Sequence, residues 1–237
     1  MNQEKIILEA CVDSIDSALA AQAGGAFRVE LCDNLEEGGT TPSLAQIQIA
    51  RKLLNIKLHV IIRPRGGDFL YNDIEFERMK QEIRMCGKAG CDGVATGILC
   101  ADGNIDFQRN SELIHIAHQY SMSVTFHRAF DRCRNLFQSM EDIIRLGCNR
   151  ILTSGGKDSA YEGREIIREL IQQAGERIII MPGAGITVEN IAALVKTTGL
   201  KEFHGTFRSQ YNDGMQWITD TSKVKEAIRI ANYKTNT

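Results

Sequence analysis

The amino-acid sequence predicts an α/β fold, a TIM-type (β/α)₈ barrel, in a single domain over residues 1–237. Eight short apolar segments have the length and β-branched content of buried strands, and a helical pattern follows each of them. Glycines that can close a helix recur shortly before four of these strands. No Pro-, Ser- or charge-rich linker divides the chain, which contains only three prolines. Eight βα units in 237 residues close most economically as a barrel.

The predicted elements follow one another without long interruptions. Strands are expected near Ile6–Cys11, Arg28–Cys32, Lys57–Arg63, Gly93–Leu99, Ser123–His127, Arg150–Ser154, Arg177–Met181 and Glu202–Thr206. The helix-closing glycines are Gly25, Gly90, Gly147 and Gly199. Helix N-caps are expected at Asp13 or Ser14, Thr41 (with Pro42 next), Asn72, Asn135, Ser159, Thr187 and Ser222. The alternative is a doubly wound open sheet, which would ordinarily carry a glycine fingerprint after its first strand, where this chain reads ACVD.

Composition restricts the classes of partner. A net charge of −2 and a pI near 6.2 argue against surfaces for nucleic acid or anionic membranes, so neither partner is expected. No apolar run approaches the roughly 20 residues that span a bilayer, and the first ten residues lack the long apolar stretch of a signal peptide. Seven cysteines without a C-x-x-C pair are typical of free thiols in a reducing cytosol. We therefore expect a cytoplasmic protein.

The segment Lys57–Phe69 is the strongest candidate for a binding loop. Its apolar strand places His59, Ile61 and Arg63 on one side and then turns abruptly into RPRGGD. Guanidinium groups suit carboxylates or phosphates, and glycines let the backbone approach a ligand closely. Arg63 and Arg65 are therefore predicted to bind an anion. The alternative is an ordinary βα turn with surface arginines.

Cysteines occupy matching places at the ends of the first two strands. Consecutive strands are usually neighbours, so Cys11 and Cys32 are expected to lie side by side at one depth. Two such thiolates can bind a soft ion such as Cu(I). The alternative is that both are small buried hydrophobic residues, as free cysteines commonly are.

Carboxylates precede both cysteines on the same strand faces. Glu9 and Glu30 would each need a partner inside a barrel, and Arg63 or Arg65 from the next strand is the expected one. Both glutamates are candidate catalytic residues, as a general base or as an acceptor for a ligand hydroxyl. A structural ion pair is the equally weighted alternative.

Histidines at strand ends are further candidates. His127 ends the fifth strand, with Asp131 close by in the sequence; both are candidate catalytic residues, and such a histidine can serve as an acid or base near neutral pH or as a metal ligand. His204 holds the equivalent place on the eighth strand. A hydrogen-bonded core histidine is the alternative for both. His115 and His118 belong to a helical pattern and are expected at the surface.

Glycine-rich turns follow the last two strands. Gly183 and Gly185 lead into a helix expected to begin near Thr187, which resembles a phosphate cradle of backbone N–H groups. Gly205 and Thr206 follow the eighth strand, and barrel enzymes often hold phosphate after strands seven and eight. These four residues are predicted to contribute to anion binding, although a glycine turn alone is weak evidence.

The motifs together resemble the CutC copper homeostasis family. In order, they are ELC at 30–32, EGGTTPS at 37–43, IRPRGGDF at 62–69, TFHRAFD at 125–131 and ILTSG at 151–155, and the likeness runs from about Leu8 to Ser209. The resemblance implies a TIM barrel, a cytoplasmic location and a role in copper handling, with Cu(I) bound by cysteines. Cys11 and Cys32 match positions where members keep cysteine. Family members usually read His-x-Ser with a small residue after it on strand eight, whereas this chain has Phe207 in that place.

Two functions remain open from the sequence. The first is copper homeostasis with Cu(I) bound at Cys11 and Cys32. The second is a lyase, aldolase or isomerase that acts on a small anionic or phosphorylated metabolite at the C-terminal mouth of the barrel. No lysine ends a strand to suggest a Schiff base, and no nucleotide cofactor is expected. A copper ion or a small anion is thus the expected partner, and pairing as a homodimer stays open.

Overall fold

A computed structural model describes residues 5–211 and 216–233, and its centre is a barrel of parallel strands. The strands are β1 Ile7–Val12, β2 Arg28–Leu31, β3 Lys57–Ile61, β4 Gly93–Thr96, β5 Ser123–Phe126, β6 Arg150–Thr153, β7 Ile179–Pro182 and β8 Glu202–Gly205. Each strand pairs with the next one along the chain from β1 to β7, and β8 pairs with β1. Strand β8 also contacts β7, so the ring is nearly closed. The predicted fold class is confirmed.

Helices cover the outside of this ring. They are α1 Ile15–Ala23, α2 Leu44–Leu53, α3 Asp73–Lys88, α4 Phe107–Gln119, α5 Leu136–Leu146, α6 Arg164–Ala174, α7 Ile191–Thr198 and α8 Thr221–Ala231. Short 3₁₀ helices span Leu35–Glu37 and Arg128–Arg132, and an antiparallel hairpin of β9 Arg208–Tyr211 and β10 Gln216–Thr219 precedes α8. This hairpin was not predicted. Among the described residues, no helix is both long enough and apolar enough to span a bilayer.

Helix starts were predicted with mixed success. Ser14, Asn72 and Asn135 cap their helices as expected, and the four predicted joint glycines all have positive φ. Thr41, Ser159, Thr187 and Ser222 are wrong as caps, since the observed ones are Ser43, Gly163, Asn190 and Asp220. Local side-chain hydrogen bonds explain why two of these helices begin at a different N-cap from the predicted one. Ser43 forms a reciprocal capping box with Gln46, and the Asp220 carboxylate accepts the Ser222 N–H.

Strand β2 shows how the barrel is layered. All four of its residues are buried, but they alternate between two environments. Val29 and Leu31 belong to the hydrophobic core that includes the helix side chains, whereas Arg28 and Glu30 contact polar groups of neighbouring strands. The outer layer is therefore apolar and the inside of the barrel is unusually polar at this strand.

A buried ion network lies inside the barrel. The Arg28 guanidinium is bonded to Glu9 through Nε and to Glu202 through Nη2, at 2.5 Å in the second case. Arg150 Nε lies 3.1 Å from Glu202, and Arg150 Nη1 donates to Ser123 at 2.7 Å. Burying a charge is costly unless it is paired, and here two arginines compensate two carboxylates. This network holds the Glu9 carboxylate in place, and Glu9 in turn bonds to His204 of the candidate site.

Candidate functional site

Strands β1, β2 and β8 bring thiol, carboxylate and imidazole groups together near the C-terminal end of the barrel. The ligand atoms of Cys11, Glu30 and His204 all lie within 4.8 Å of one another, and all three residues are buried. The Cys11 thiol lies 3.6 Å from Glu30 Oε2 and 3.8 Å from Cys32 Sγ. Strand register explains the proximity, because Cys11 pairs with Glu30 and His204 pairs with Glu9. We call Cys11, Cys32, Glu30 and His204 the thiol cluster.

His204 links the thiol cluster to the ion network beneath it. Its Nδ1–H donates to Glu9 Oε1 at 2.8 Å, and its Nε2 lies 3.7 Å from Glu30 Oε2. Burial disfavours the charged ring, but bonds to Cys11 and Glu9 outweigh burial and raise the pKa of His204 well above its usual value. Burial likewise acts to raise the pKa of Glu9, but the Arg28 charge holds it well below the usual range. A carboxylate and an imidazolium therefore face each other inside the barrel.

Glu30 and Cys11 hold their protons more tightly than usual. Burial raises the pKa of Glu30 to about 7, despite the opposing charge of His204, and Glu30 Oε1 has no hydrogen-bond partner. The bond with Cys32, together with burial, raises the pKa of Cys11 well above 9. The Cys32 thiol is fully buried and donates to the Val12 carbonyl at 3.3 Å. At neutral pH the cluster thus combines protonated thiol with a carboxyl group poised to exchange its proton.

The predicted partners of the strand-end glutamates are wrong. Arg63 is buried and donates to the backbone carbonyls of Glu37, Gly39 and Gly67 at 2.7, 3.0 and 2.9 Å. Arg65 is 40 % exposed at its side chain and pairs with carboxylates of its own loop and of α3. Both arginines therefore organise the loop after β3. Glu9 instead pairs with Arg28 and His204 on the adjacent strands β2 and β8, whereas Glu30 contacts Cys11 on β1 and His204.

His127 is buried at the end of β5, apart from the thiol cluster. Its Nδ1 accepts the Ala129 N–H at 3.3 Å, and its ring lies 5.1 Å from that of Phe69. Burial, aided by the Arg63 charge, lowers the pKa of His127 to about 3, so the ring is neutral at pH 7. The predicted surface positions of His115 and His118 are observed.

Asp131 holds a loop together. Its carboxylate accepts hydrogen bonds from the Thr153 hydroxyl, the Ser154 N–H and hydroxyl, and the Gly156 N–H, at 2.5 to 3.1 Å. It also pairs with Arg128 at 2.8 Å. These bonds hold the loop after β6 against the 3₁₀ helix that carries Asp131, and its catalytic role stays a prediction.

The glycine turn after β7 differs from the predicted cradle. Helix α7 begins after Asn190, not near Thr187, and the Thr187 N–H is already bonded to the Asn190 side chain at 2.9 Å. Ala184 and Gly185 both have positive φ. A side chain at Gly183 would lie 2.5 Å from Leu152 and 3.3 Å from His204. Gly183 thus leaves room for the imidazole of the thiol cluster.

The turn after β8 is closed by an aromatic side chain. Phe207 has a φ of +48° and is buried, with its ring 6.3 Å from that of Phe203. A side chain at Gly205 would collide with the Phe207 ring at 2.8 Å. The carbonyl of Thr206 accepts from the Thr219 hydroxyl at 3.2 Å, which ties this turn to the hairpin. The bulky residue noted in the sequence is therefore part of the core.

Sequence reasoning missed three polar residues around the site. Arg28 begins β2 and shares a strand face with Glu30, so alternation could have identified it. His59 lies 3.7 Å from Glu9, and burial lowers its pKa to about 3. Tyr71 carries a buried hydroxyl in the loop before α3, where no periodicity points to it.

Comparison with known proteins agrees with this architecture. The model of the CutC family matches residues 6–209. The chain belongs to the CutC family. A CutC family protein of Chromobacterium violaceum is 51% identical over 211 residues, which cover 89% of this chain and 85% of that protein.

Two further relatives extend the CutC comparison. A human protein described as a copper homeostasis protein cutC homolog is 43% identical over 227 residues, covering 96% of this chain and 82% of its own. The crystal structure of a CutC protein from Streptococcus agalactiae superposes with a TM-score of 0.81 at 35% identity, covering 85% of this chain and 98% of that one. The resemblance seen in the sequence is confirmed.

The neutral state of buried His127 predicts a specific acid sensitivity. Its folded pKa of about 3 lies below the ordinary value of 6.5, so its stabilising contribution is present above pH 6.5 and is lost as the pH falls toward 3. In His127→Gln the new amide still accepts the Ala129 N–H but does not titrate. Between pH 7.5 and 4.5, urea unfolding should show the wild type losing on the order of 2 kcal/mol more than the variant. His115→Gln, at an exposed site, is the control. Parallel pH profiles for wild type and His127→Gln would contradict the assignment.

Proposed function

We propose that this CutC chain binds one Cu(I) ion through Cys11 and Cys32 as part of copper homeostasis. The observation that carries the proposal is the 3.8 Å separation of the two sulfur atoms, close enough for both to contact one ion. Thiolates are soft ligands that select Cu(I), and they are the only sulfur donors of the thiol cluster. The description of the human relative as a copper homeostasis protein supports the same role.

Of the remaining donors of the thiol cluster, His204 fits this ion better than Glu30 does. An imidazole suits copper once the ring has lost its Nε2 proton, whereas the Glu30 carboxylate, within 4.8 Å of the Cys11 sulfur and a His204 nitrogen, is a hard ligand. The raised pKa of Cys11 means that the metal must displace a proton from its thiol. Copper binding should therefore release protons. Burial of both thiols also implies that the ion is sequestered and is exchanged slowly.

A cytoplasmic location completes this proposal. All seven cysteines are free, including Cys11 and Cys32, whose sulfur atoms are separated by nearly twice a disulfide bond length. Free thiols persist in a reducing compartment, where copper is also kept as Cu(I). The thiol cluster would be lost to oxidation in an oxidising compartment.

A second candidate function rests on Glu30. A buried carboxyl group whose pKa is about 7, next to the positive charge of His204, has the properties of a general base near neutral pH. Its unpartnered Oε1 is available to a substrate proton. This arrangement favours proton abstraction next to a carbonyl in a small anionic metabolite, as lyase, aldolase or isomerase chemistry requires.

Copper binding should depend on the two clustered sulfurs and not on thiol number. In anaerobic competition with a Cu(I) chelator, Cys11→Ser combined with Cys32→Ser should weaken Cu(I) binding about 100-fold or more. The matched control is Cys91→Ser combined with Cys148→Ser, which removes two equally buried thiols elsewhere. Unchanged affinity in the first double variant, or an equal loss in both, would exclude the proposed site.

Proton abstraction has its own test. Wild-type protein in D₂O should exchange carbon-bound hydrogens of pyruvate or dihydroxyacetone phosphate, followed by ¹H NMR, if Glu30 acts as the base. Glu30→Gln should abolish the exchange because an amide cannot accept the proton, whereas Glu36→Gln, at an exposed site, should not change it. Absence of exchange with both compounds, or exchange that persists in Glu30→Gln, would reject this second function for these substrates.

A further inference from the structure

Three of the buried polar atoms that have no hydrogen-bond partner among the described residues lie in the loops after β3 and β5. They are Arg63 Nε, Tyr71 Oη and His127 Nε2, and the three residues are only 4 %, 3 % and 3 % exposed. Buried polar groups are nearly always paired, so an orphaned one needs an explanation. Three of them in the loops after β3 and β5 indicate a missing partner.

The three side chains are neighbours. The Phe69 ring contacts two of them, since its centroid lies 4.9 Å from the Arg63 guanidinium carbon and 5.1 Å from the centroid of the His127 ring. The Arg63 guanidinium interacts with the Tyr71 hydroxyl without forming a well-aligned hydrogen bond, and burial prevails over this interaction and raises the pKa of Tyr71 to about 12. We call Arg63, Tyr71 and His127 the mouth triad.

All three free atoms are hydrogen-bond donors. The Nδ1 of neutral His127 accepts the Ala129 N–H, so the ring proton must sit on the free Nε2. The Tyr71 hydroxyl is protonated at neutral pH and can donate. Arg63 has only donors, and three of its five N–H groups are already bonded to backbone carbonyls, which leaves Nε–H and one N–H of Nη2. Three neighbouring side chains, one of them a cation, therefore each offer a donor that has no acceptor among the described residues.

We propose that the mouth triad binds a small oxyanion, a carboxylate or phosphate group, between Arg63, Tyr71 and His127. Such a group supplies several acceptor lone pairs and a negative charge opposite the guanidinium. The three backbone bonds made by Arg63 hold its Nε in place, so the site is preorganised. Because all three atoms are buried, ligand entry requires movement of residues 64–70, which join Arg63 to Tyr71.

The mouth triad adjoins the thiol cluster but does not depend on it. Arg63 donates to the carbonyl of Gly39, and a side chain at Gly39 would lie 3.4 Å from the Cys32 Cβ. An anion held by the triad would therefore lie near the copper or proton-transfer groups. The proposal stands on its own contacts, so it can hold or fail separately from either function of the thiol cluster.

Tyr71→Phe tests the site with little risk to the fold, because it keeps the ring and removes a hydroxyl that forms no well-aligned hydrogen bond with the described residues. Isothermal titration of the full chain with inorganic phosphate and with acetate, at constant ionic strength, should detect binding of at least one anion. Tyr71→Phe should weaken that binding about 10-fold or more, since a hydrogen bond to a charged ligand is lost, and should leave the free protein as stable as the wild type or more so. Tyr120→Phe is the matched control and should bind as the wild type does. Preference for phosphate over acetate, or the reverse, identifies the class of oxyanion.

Two results would overturn the proposal. One is the absence of binding of both anions to the wild type at millimolar concentrations. The other is equal affinity in Tyr71→Phe and the wild type. The Cys11→Ser and Cys32→Ser double variant should keep wild-type anion affinity, and a loss there would place the anion at the sulfurs instead of at the mouth triad.

Discussion

The buried guanidinium of Arg28 is the interaction on which the rest of this barrel depends. It stands between the carboxylates of Glu9 and Glu202, and Arg150 completes their compensation. Without it, Glu9 would lose the largest of the charges that keep it ionised in a medium that solvates charges poorly, and its pKa would rise. Because Arg28 keeps Glu9 ionised, Glu9 can orient His204 and keep its imidazole charged. The charge of Arg28 thus determines, through Glu9, whether the imidazole of His204 is protonated.

This ordering gives the CutC site an unusual chemical character. The Cys11 thiol, which retains its proton, stands beside an imidazolium and a carboxyl group that titrates near pH 7. A soft metal can enter only as protons leave, and a substrate proton can be taken up only by Glu30. The proposed copper ligands and the proposed base are different atoms of one cluster, with Glu30 Oε2 3.6 Å from the Cys11 sulfur. A copper ion on that sulfur would place a positive charge beside Glu30 and weaken it as a base, which links the two proposed functions as alternatives in one place.

Much of the architecture could be predicted from the sequence because it depends on local signals. Apolar runs and helix-closing glycines located all eight strands within a few residues. Because consecutive strands are usually neighbours, the proximity of Cys11 and Cys32 could also be predicted. The partners of Glu9 and Glu30 could not be predicted in the same way. They depend on strand register across the ring, which set Arg28 and His204 beside Glu9 and directed Arg63 to backbone carbonyls. Tyr71 lies in a loop, which has no regular hydrophobic pattern from which the burial of a given side chain could be predicted.

The charge on His204 tests the central claim most directly. The chain has only five histidines, so ¹⁵N-histidine NMR can resolve the protonation of each ring nitrogen. In the metal-free protein at pH 7.5, where an ordinary histidine is mostly neutral, both His204 nitrogens should carry protons because ionised Glu9 stabilises the imidazolium. Glu9→Gln should shift that ring toward the neutral form. A neutral His204 in the wild type at this pH would contradict the account, since Arg28 and Glu9 would then not control the state of the thiol cluster.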